Sequence, residues 1–309
     1  MKKKLVVEIA EGLGNQLFMY AFAYSFSKKM NYDLLIDNKS GYFRKKNLLR
    51  NHQRYMLNNF NLIGNIADEK FIYNNKLKRL KKKLLLLIDK FSNKKKFLLE
   101  KKFKINGSKF AEEFVDINKL KFSNNIYIQG NFENHEYFKN YKSELEKIFK
   151  PKNETINIDN SLIDKLKNTN SVSLHIRRNR FSDQLNLKNK INLKKSEKFT
   201  LDIIDYINKS IHIINSKIQN PEYFIWTNDL NDFNFFLDKL KIKNYTLIKN
   251  DVMSDFNLFR YCKHFIVGPS SFHWWGAWLN SNKNKICLRP SNLSPSNNPN
   301  FWPHDWIEV

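Results

Sequence analysis

The run His175-Ile176-Arg177-Arg178 follows Val172-Ser173-Leu174 and sets two guanidinium groups at the C-terminal end of an expected strand. Paired arginines there supply permanent charge and bidentate donors, the equipment that holds a pyrophosphate without a metal. A surface arginine pair in an already basic chain is the plainer alternative. A second set, Gly268-Pro269-Ser270-Ser271-Phe272, lies between an apolar strand at 264–267 and a helix expected to begin near Phe272. The N–H groups of a helix start and two serine hydroxyls make an anion site, although ordinary N-capping by Ser271 explains the same residues. Asp255 stands at the start of the preceding helix, where a carboxylate can accept two N–H donors from a guanine edge or cap the helix. Asp229, in Thr227-Asn228-Asp229, fits a turn as well as a site. The chain has no Asp-x-Asp pair to bridge a divalent ion to a nucleotide diphosphate, and Cys262 and Cys287 form no CxxC or zinc-spaced cluster. No metal is expected.

These residues need strands and helices to carry them. Lys4 to Ile9 reads as a strand, Gly12-Leu13-Gly14-Asn15-Gln16 as a glycine turn, and the next residues as a helix with Leu17, Ala21 and Tyr24 on one face. Asp33-Leu34-Leu35-Ile36 completes a βαβ unit. The opening is Rossmann-like, but Leu17 stands where a third glycine would complete the dinucleotide fingerprint. Ile126 to Gln129 reads as a strand, 134–149 as a helix ended by Pro151, and the polar stretch 153–170 as an interdomain linker. Strands are expected at 172–176, 223–226, 245–248, 264–267 and 285–288. Between them fall helices at 196–218, 230–240, 254–261 and 272–280, the first with Phe199, Ile203, Ile207, Ile211 and Ile214 in register. Short strands alternating with helices predict parallel sheets covered on both faces, with domains at 1–155 and 156–309 and a ligand cleft between them. Trp274, Trp275 and Trp278 read as core and wall residues rather than a sugar platform.

The chain's 309 residues suit two domains, and 41% hydrophobic with 15% aromatic residues supply a core and exclude wholesale disorder. The formal net charge of +24 calls for an anionic partner or surface. A net +11 of it lies in 76–104, where Leu77, Leu80, Leu84 and Leu87 recur at helical spacing. That predicts a basic amphipathic helix or helical hairpin, its apolar face either on the core or on a membrane. Nucleic acid is not the expected partner, because no aromatic platform accompanies the lysines. No apolar run is long enough to span a bilayer, and Glu8 and Glu11 interrupt the stretch after the basic start, so a cytosolic, reduced protein is expected.

The motifs together resemble the bacterial α-1,2-fucosyltransferases of glycosyltransferase family 11, nearly end to end. The residues that carry the resemblance are Gly12 to Phe18, Ile128-Gln129-Gly130-Asn131-Phe132 with Tyr137-Phe138, Val172 to Arg178, Tyr223 to Asp229, and the block from Asp255 to Asn280. The resemblance implies an α/β, GT-B-like fold of two Rossmann-like domains facing a central cleft. It also implies GDP-β-L-fucose as donor, inversion to an α-1,2 fucoside on galactose in a surface glycan such as a lipopolysaccharide O-antigen, and no metal. Carried over, Arg177 holds the β-phosphate with Arg178 and His175 beside it. Ser270, Ser271 and Phe272 bind phosphate, Asp255 reads guanine, and Gly14 and Asn15 reach the donor from the other domain. Where the family has His-x-Arg-Arg-Gly-Asp this chain has Asn179 and Arg180, which removes a carboxylate; Asp183 is the candidate replacement base. A different sugar or linkage is the alternative, and a nucleic-acid-binding protein a more distant one.

Overall fold

A computed structural model describes residues 2–45, 54–104, 110–176, 190–227, 230–296 and 298–309. The chain forms two compact units, Met1–Lys150 with Ser296–Trp302, and Pro151–Pro295 with Pro303–Val309. The division therefore falls at Lys150/Pro151 instead of 155/156, and 296–302 belongs with the first unit. The fold class is α/β, each unit being built on a parallel sheet.

The first unit runs β1 (Lys4–Glu8), α1 (Leu13–Met30), β2 (Asp33–Asp37), β3 (Asn65–Ile66), α2 (Lys76–Lys90), β4 (Lys95–Leu99), β5 (Lys102–Lys104), β6 (Phe110–Glu112), β7 (Phe122–Gln129) and α3 (Lys142–Ile148). Five strands pair in parallel in the order β3-β2-β1-β7-β4, while β5 and β6 make a separate antiparallel ribbon. The expected glycine turn is the first turn of α1 itself, with Gly12 as N-cap. Nor does α1 have one apolar face: Leu13, Gly14 and every residue from 16 to 27 are buried. A helix apolar all round must be covered all round. Aromatics supply the cover: Phe22 stacks on Phe132 at 3.8 Å, and Phe26 and Tyr20 meet Phe122 and Phe149 edge-on. The 134–149 stretch is two short 3-10 turns before the seven-residue α3.

The basic segment takes the helical form its leucine spacing predicts, without a second helix to make a hairpin. It is one helix followed by strands, and its leucines at the helical spacing do not face the core. Leu77, Leu80, Leu84 and Leu87 are 80%, 57%, 55% and 54% exposed, while Lys82 and Asp89 are buried. Polar bonding outweighs the leucine stripe. Lys82 Nζ lies 2.8 Å from both Glu8 Oε2 and Gln129 Oε1, and the Asp89 carboxylate accepts the Lys96 and Phe97 N–H groups that open β4.

The second unit runs α4 (Asn160–Asn168), β8 (Asn170–Ile176), α5 (Lys190–Lys217), β9 (Pro221–Thr227), α6 (Leu230–Leu237), β10 (Tyr245–Ile248), α7 (Val252–Leu258), β11 (His264–Ile266), α8 (Ser271–Leu279), β12 (Cys287–Arg289) and β13 (Ile307–Glu308). Six parallel strands order as β10-β9-β8-β11-β12-β13. The five in-register apolar residues of α5 are all buried, in one core with Val172, Leu174 and Ile225. The stretch expected as a linker holds a 3-10 turn and α4, which Asp159 caps by accepting from Ser161 N–H. Only Leu166 of α4 is fully buried, too little apolar content to show as periodicity.

Candidate functional site

In the second unit the strand order reverses at β8, with β9 and β10 on one side and β11, β12 and β13 on the other. Ligands bind parallel sheets at the carboxyl ends of strands beside such a reversal. His175 occupies that end of β8, and Gly268 follows β11 next to it. A Cβ on Gly268 would stand 2.8 Å from the His175 carbonyl oxygen, so this close backbone approach requires glycine. We expect Gly268→Ala to lose about 1–3 kcal/mol of stability through overpacking. Displacing the turn should also lower kcat/KM by about tenfold or more, as misplacing groups at a site does. Thermal unfolding and steady-state kinetics would read the two effects.

The turn is fixed from beneath by His273, which the sequence reading does not single out. Its ring is fully buried. Gly268 N–H donates to His273 Nδ1 at 3.3 Å, so the ring proton sits on Nε2 and is donated to Ser173 Oγ at 2.8 Å. Burial, reinforced by nearby His175, holds the imidazole neutral, well below its ordinary pKa. Ser173 in turn bonds the Cys262 thiol, which burial pushes up, and Cys262 reaches the Leu258 carbonyl. One buried chain thus ties the start of α8 to β8 and to the end of α7. The period of two along β8, which puts Ser173 and His175 on one face, was the available signal.

Helix α8 starts at Ser271 with Ser270 as N-cap, and the Ser270 side chain makes no capping bond. Capping by Ser271 therefore does not account for the serine pair. Phe272 is held by the rings of Phe256 and Phe259 at 5.7 and 5.4 Å, which joins the first turn of α8 to α7. Trp274, Trp275 and Trp278 are 0%, 0% and 5% exposed and pack on one another, as core residues.

Asp255 is not the cap of its helix. Asp251 is, accepting from Met253 and Ser254 N–H. Asp255 is half-buried with Asn250 Nδ2 at 3.3 Å, and desolvation is the main cause that raises its carboxyl to about 6; Asp251 adds to the rise, and the Asn250 amide and the Trp226 indole oppose it. A carboxylate freed from capping and held at a desolvation penalty is the profile of a ligand-reading group.

His175, Ser270, Ser271, Phe272 and Asp255 thus belong to one unit and to elements in mutual contact. Gly14 and Asn15 lie in the first turn of α1, in the other unit. Asn15 Nδ2 donates to the Glu11 carboxylate, and Glu11 takes a left-handed φ of 64°. Gln16, fully buried, ties that turn to the Glu11 and Arg54 carbonyls. Arg177, Arg178, Asp183 and Asp229 lie outside the described residues, among which no three His, Cys, Asp or Glu side chains gather as a metal site.

The alpha-1,2-colitosyltransferase of Escherichia coli is 28% identical over 327 residues, covering 99% of this chain and 98% of that one. The O-antigen biosynthesis glycosyltransferase WbnK of Escherichia coli is 26% identical over 322 residues, 97% and 99% of the two chains. Among solved structures, the fucosyltransferase NodZ from Bradyrhizobium aligns at a TM-score of 0.47 and 10% identity, over 91% of this chain and 94% of that one. Glycosyl transferase family 11 matches residues 4–307, almost the full length, and the protein belongs to that family of glycosyltransferases.

Proposed function

We propose that the protein transfers an L-fucose-type sugar from its β-linked GDP donor to the 2-hydroxyl of a galactose in a surface polysaccharide such as an O-antigen, with inversion to an α-1,2 linkage. The observation that carries this reading is the pairing, in one unit, of the half-buried Asp255 carboxylate, which does not cap its helix, with a turn that brings a helix start to the end of β8. The names of the two relatives, a colitosyltransferase and an O-antigen glycosyltransferase, support the sugar class and the setting. Fucose is the donor sugar we favour, with colitose, which lacks its 3-hydroxyl, as the variant the first relative suggests.

The acceptor oxygen bonds to C1 of the sugar as the bond from C1 to the β-phosphate oxygen breaks, and GDP leaves with that electron pair. Negative charge grows on the departing phosphate, so donors preorganised there favour the transition state over the ground state. Arg177 and Arg178 supply the charge in this reading, with Ser270, Ser271 and the backbone N–H groups of α8 beside them. The acceptor proton passes to a base, for which we nominate Asp183. The chemistry needs no metal.

Titration calorimetry with GDP in EDTA, on the native chain and on Arg177→Ala, tests the donor site. Micromolar binding that the substitution weakens at least tenfold is the expected result; a guanidinium–phosphate pair contributes about 1.5–3 kcal/mol. Unimpaired binding by Arg177→Ala would overturn that role. Turnover of GDP-fucose against GDP-colitose on a galactoside then decides the sugar.

A further inference from the structure

Helix α2 carries its apolar stripe to solvent. Leu77, Leu80, Leu84, Leu87, Ile88 and Phe91 are 54–90% exposed and fall within an arc of about 100° at 3.6 residues per turn. Helix orientation is not free to correct this, because the opposite face is bonded to the sheet through Lys82 and Asp89. Lysines border the stripe on both sides, Lys76, Lys83 and Lys90 along one edge and Lys81 along the other. Among the described residues none of these four ammonium groups pairs with a carboxylate, whereas Lys78 and Lys82 of the same helix do.

We propose that this face of α2 docks the protein on an anionic lipid surface. An outward leucine stripe flanked by unpaired lysines is the design of a helix lying in a bilayer's interfacial plane, apolar side chains among the acyl chains and ammonium groups at the phosphates. The charge decides between occupants. A second copy of the chain would set lysine rows against lysine rows, whereas anionic headgroups neutralise them, within a field already strongly positive at +24. The proposal does not depend on which sugar the enzyme transfers. No helix among the described residues is long and apolar enough to cross a membrane, so contact of this kind is with one leaflet.

Sedimentation with phosphatidylcholine vesicles, with or without an equal share of phosphatidylglycerol, tests it. Binding should be about tenfold or more stronger to the anionic vesicles. It should fall about tenfold or more in Leu80→Ser/Leu84→Ser/Leu87→Ser and likewise in Lys76→Gln/Lys81→Gln/Lys83→Gln/Lys90→Gln. Every substituted side chain is exposed, so both variants should keep the native melting temperature and GDP affinity. Cys262 and Cys287 are buried, so a Leu84→Cys variant takes an environment-sensitive fluorophore at one place, and its emission should shift to the blue on anionic vesicles alone. Equal binding to both vesicle types, undiminished binding by the serine variant, or a blue shift that tracks protein concentration without lipid, the sign of a second copy on the stripe, would each overturn the proposal.

Discussion

Asp255→Asn should weaken binding of a GDP-sugar about 100-fold, some 2.7 kcal/mol, while the folded protein melts at the same temperature or higher at pH 7. A carboxylate facing guanine accepts two N–H donors and carries their charge assistance; an amide offers one acceptor and turns a donor against the ring. The stability half of the prediction comes from the free protein. Burial raises the Asp255 carboxyl to about 6, above its unfolded value near 4, so the native state binds the extra proton between those pH values. The group's contribution to stability is then fully present below about pH 4 and is lost as pH rises through 6. At neutral pH the charge opposes folding, and the neutral amide removes the opposition. Donor affinity should run the other way, flat above pH 7 and falling towards tenfold per unit below 6, with the variant showing no such limb. GDP-fucose is the proper probe, because its doubly esterified pyrophosphate has no proton that titrates near 6, unlike the terminal phosphate of GDP. A substitution that lowered the melting temperature and left affinity intact would make Asp255 a structural residue.

Much of this arrangement was legible from residue types alone. The parallel sheets follow from alternation of short apolar runs with amphipathic helices, and α5 follows from five apolar residues at the right spacing, all of which are buried. Asp255, His175 and the Gly268 to Phe272 turn were visible as chemistry placed at element boundaries. His273 was not, because a histidine inside an aromatic helix looks like packing until its two ring nitrogens are seen bonded to Gly268 and Ser173. Those partners lie five and 100 residues away. The cap of α7 was misplaced for a local reason: Asp251 and Asp255 are both plausible starts four residues apart, and only hydrogen bonds to Met253 and Ser254 decide between them. The face that α2 turns inward is what periodicity left open between core and membrane. A period of 3.6 says that a helix has an apolar side, and says nothing of whether a buried ion pair elsewhere on the helix has already fixed which side is inward.

That ion pair should be the most destabilising place to cut in the first unit. Lys82→Met is expected to lose about 3–5 kcal/mol, because it strands the Glu8 carboxylate, only 11% exposed, without its cation. Tyr127 donates its hydroxyl into the same cluster, 2.7 Å from both Glu8 and Asp37, and its ring lies 4.2 Å from the Lys82 ammonium. One hydroxyl proton cannot serve two carboxylates, so it does not replace the ammonium. Desolvation, the largest influence on Lys82, holds it below its ordinary pKa in spite of Glu8, which says that burying the pair is itself unfavourable. The double variant Glu8→Gln/Lys82→Met should therefore recover most of the loss, as removing both partners of a buried pair does. Melting of the first unit would fall by about 6–20 °C in the single variant, while GDP affinity, for which Asp255 and Ser271 of the second unit are proposed, should stay within a factor of two. The same cycle bears on the helix's orientation. With Lys82 gone, Asp89 still accepts the Lys96 and Phe97 N–H groups of β4 and Leu85 and Leu86 still pack on the core, so the Leu84 fluorophore should stay exposed and keep its response to anionic lipid in both variants.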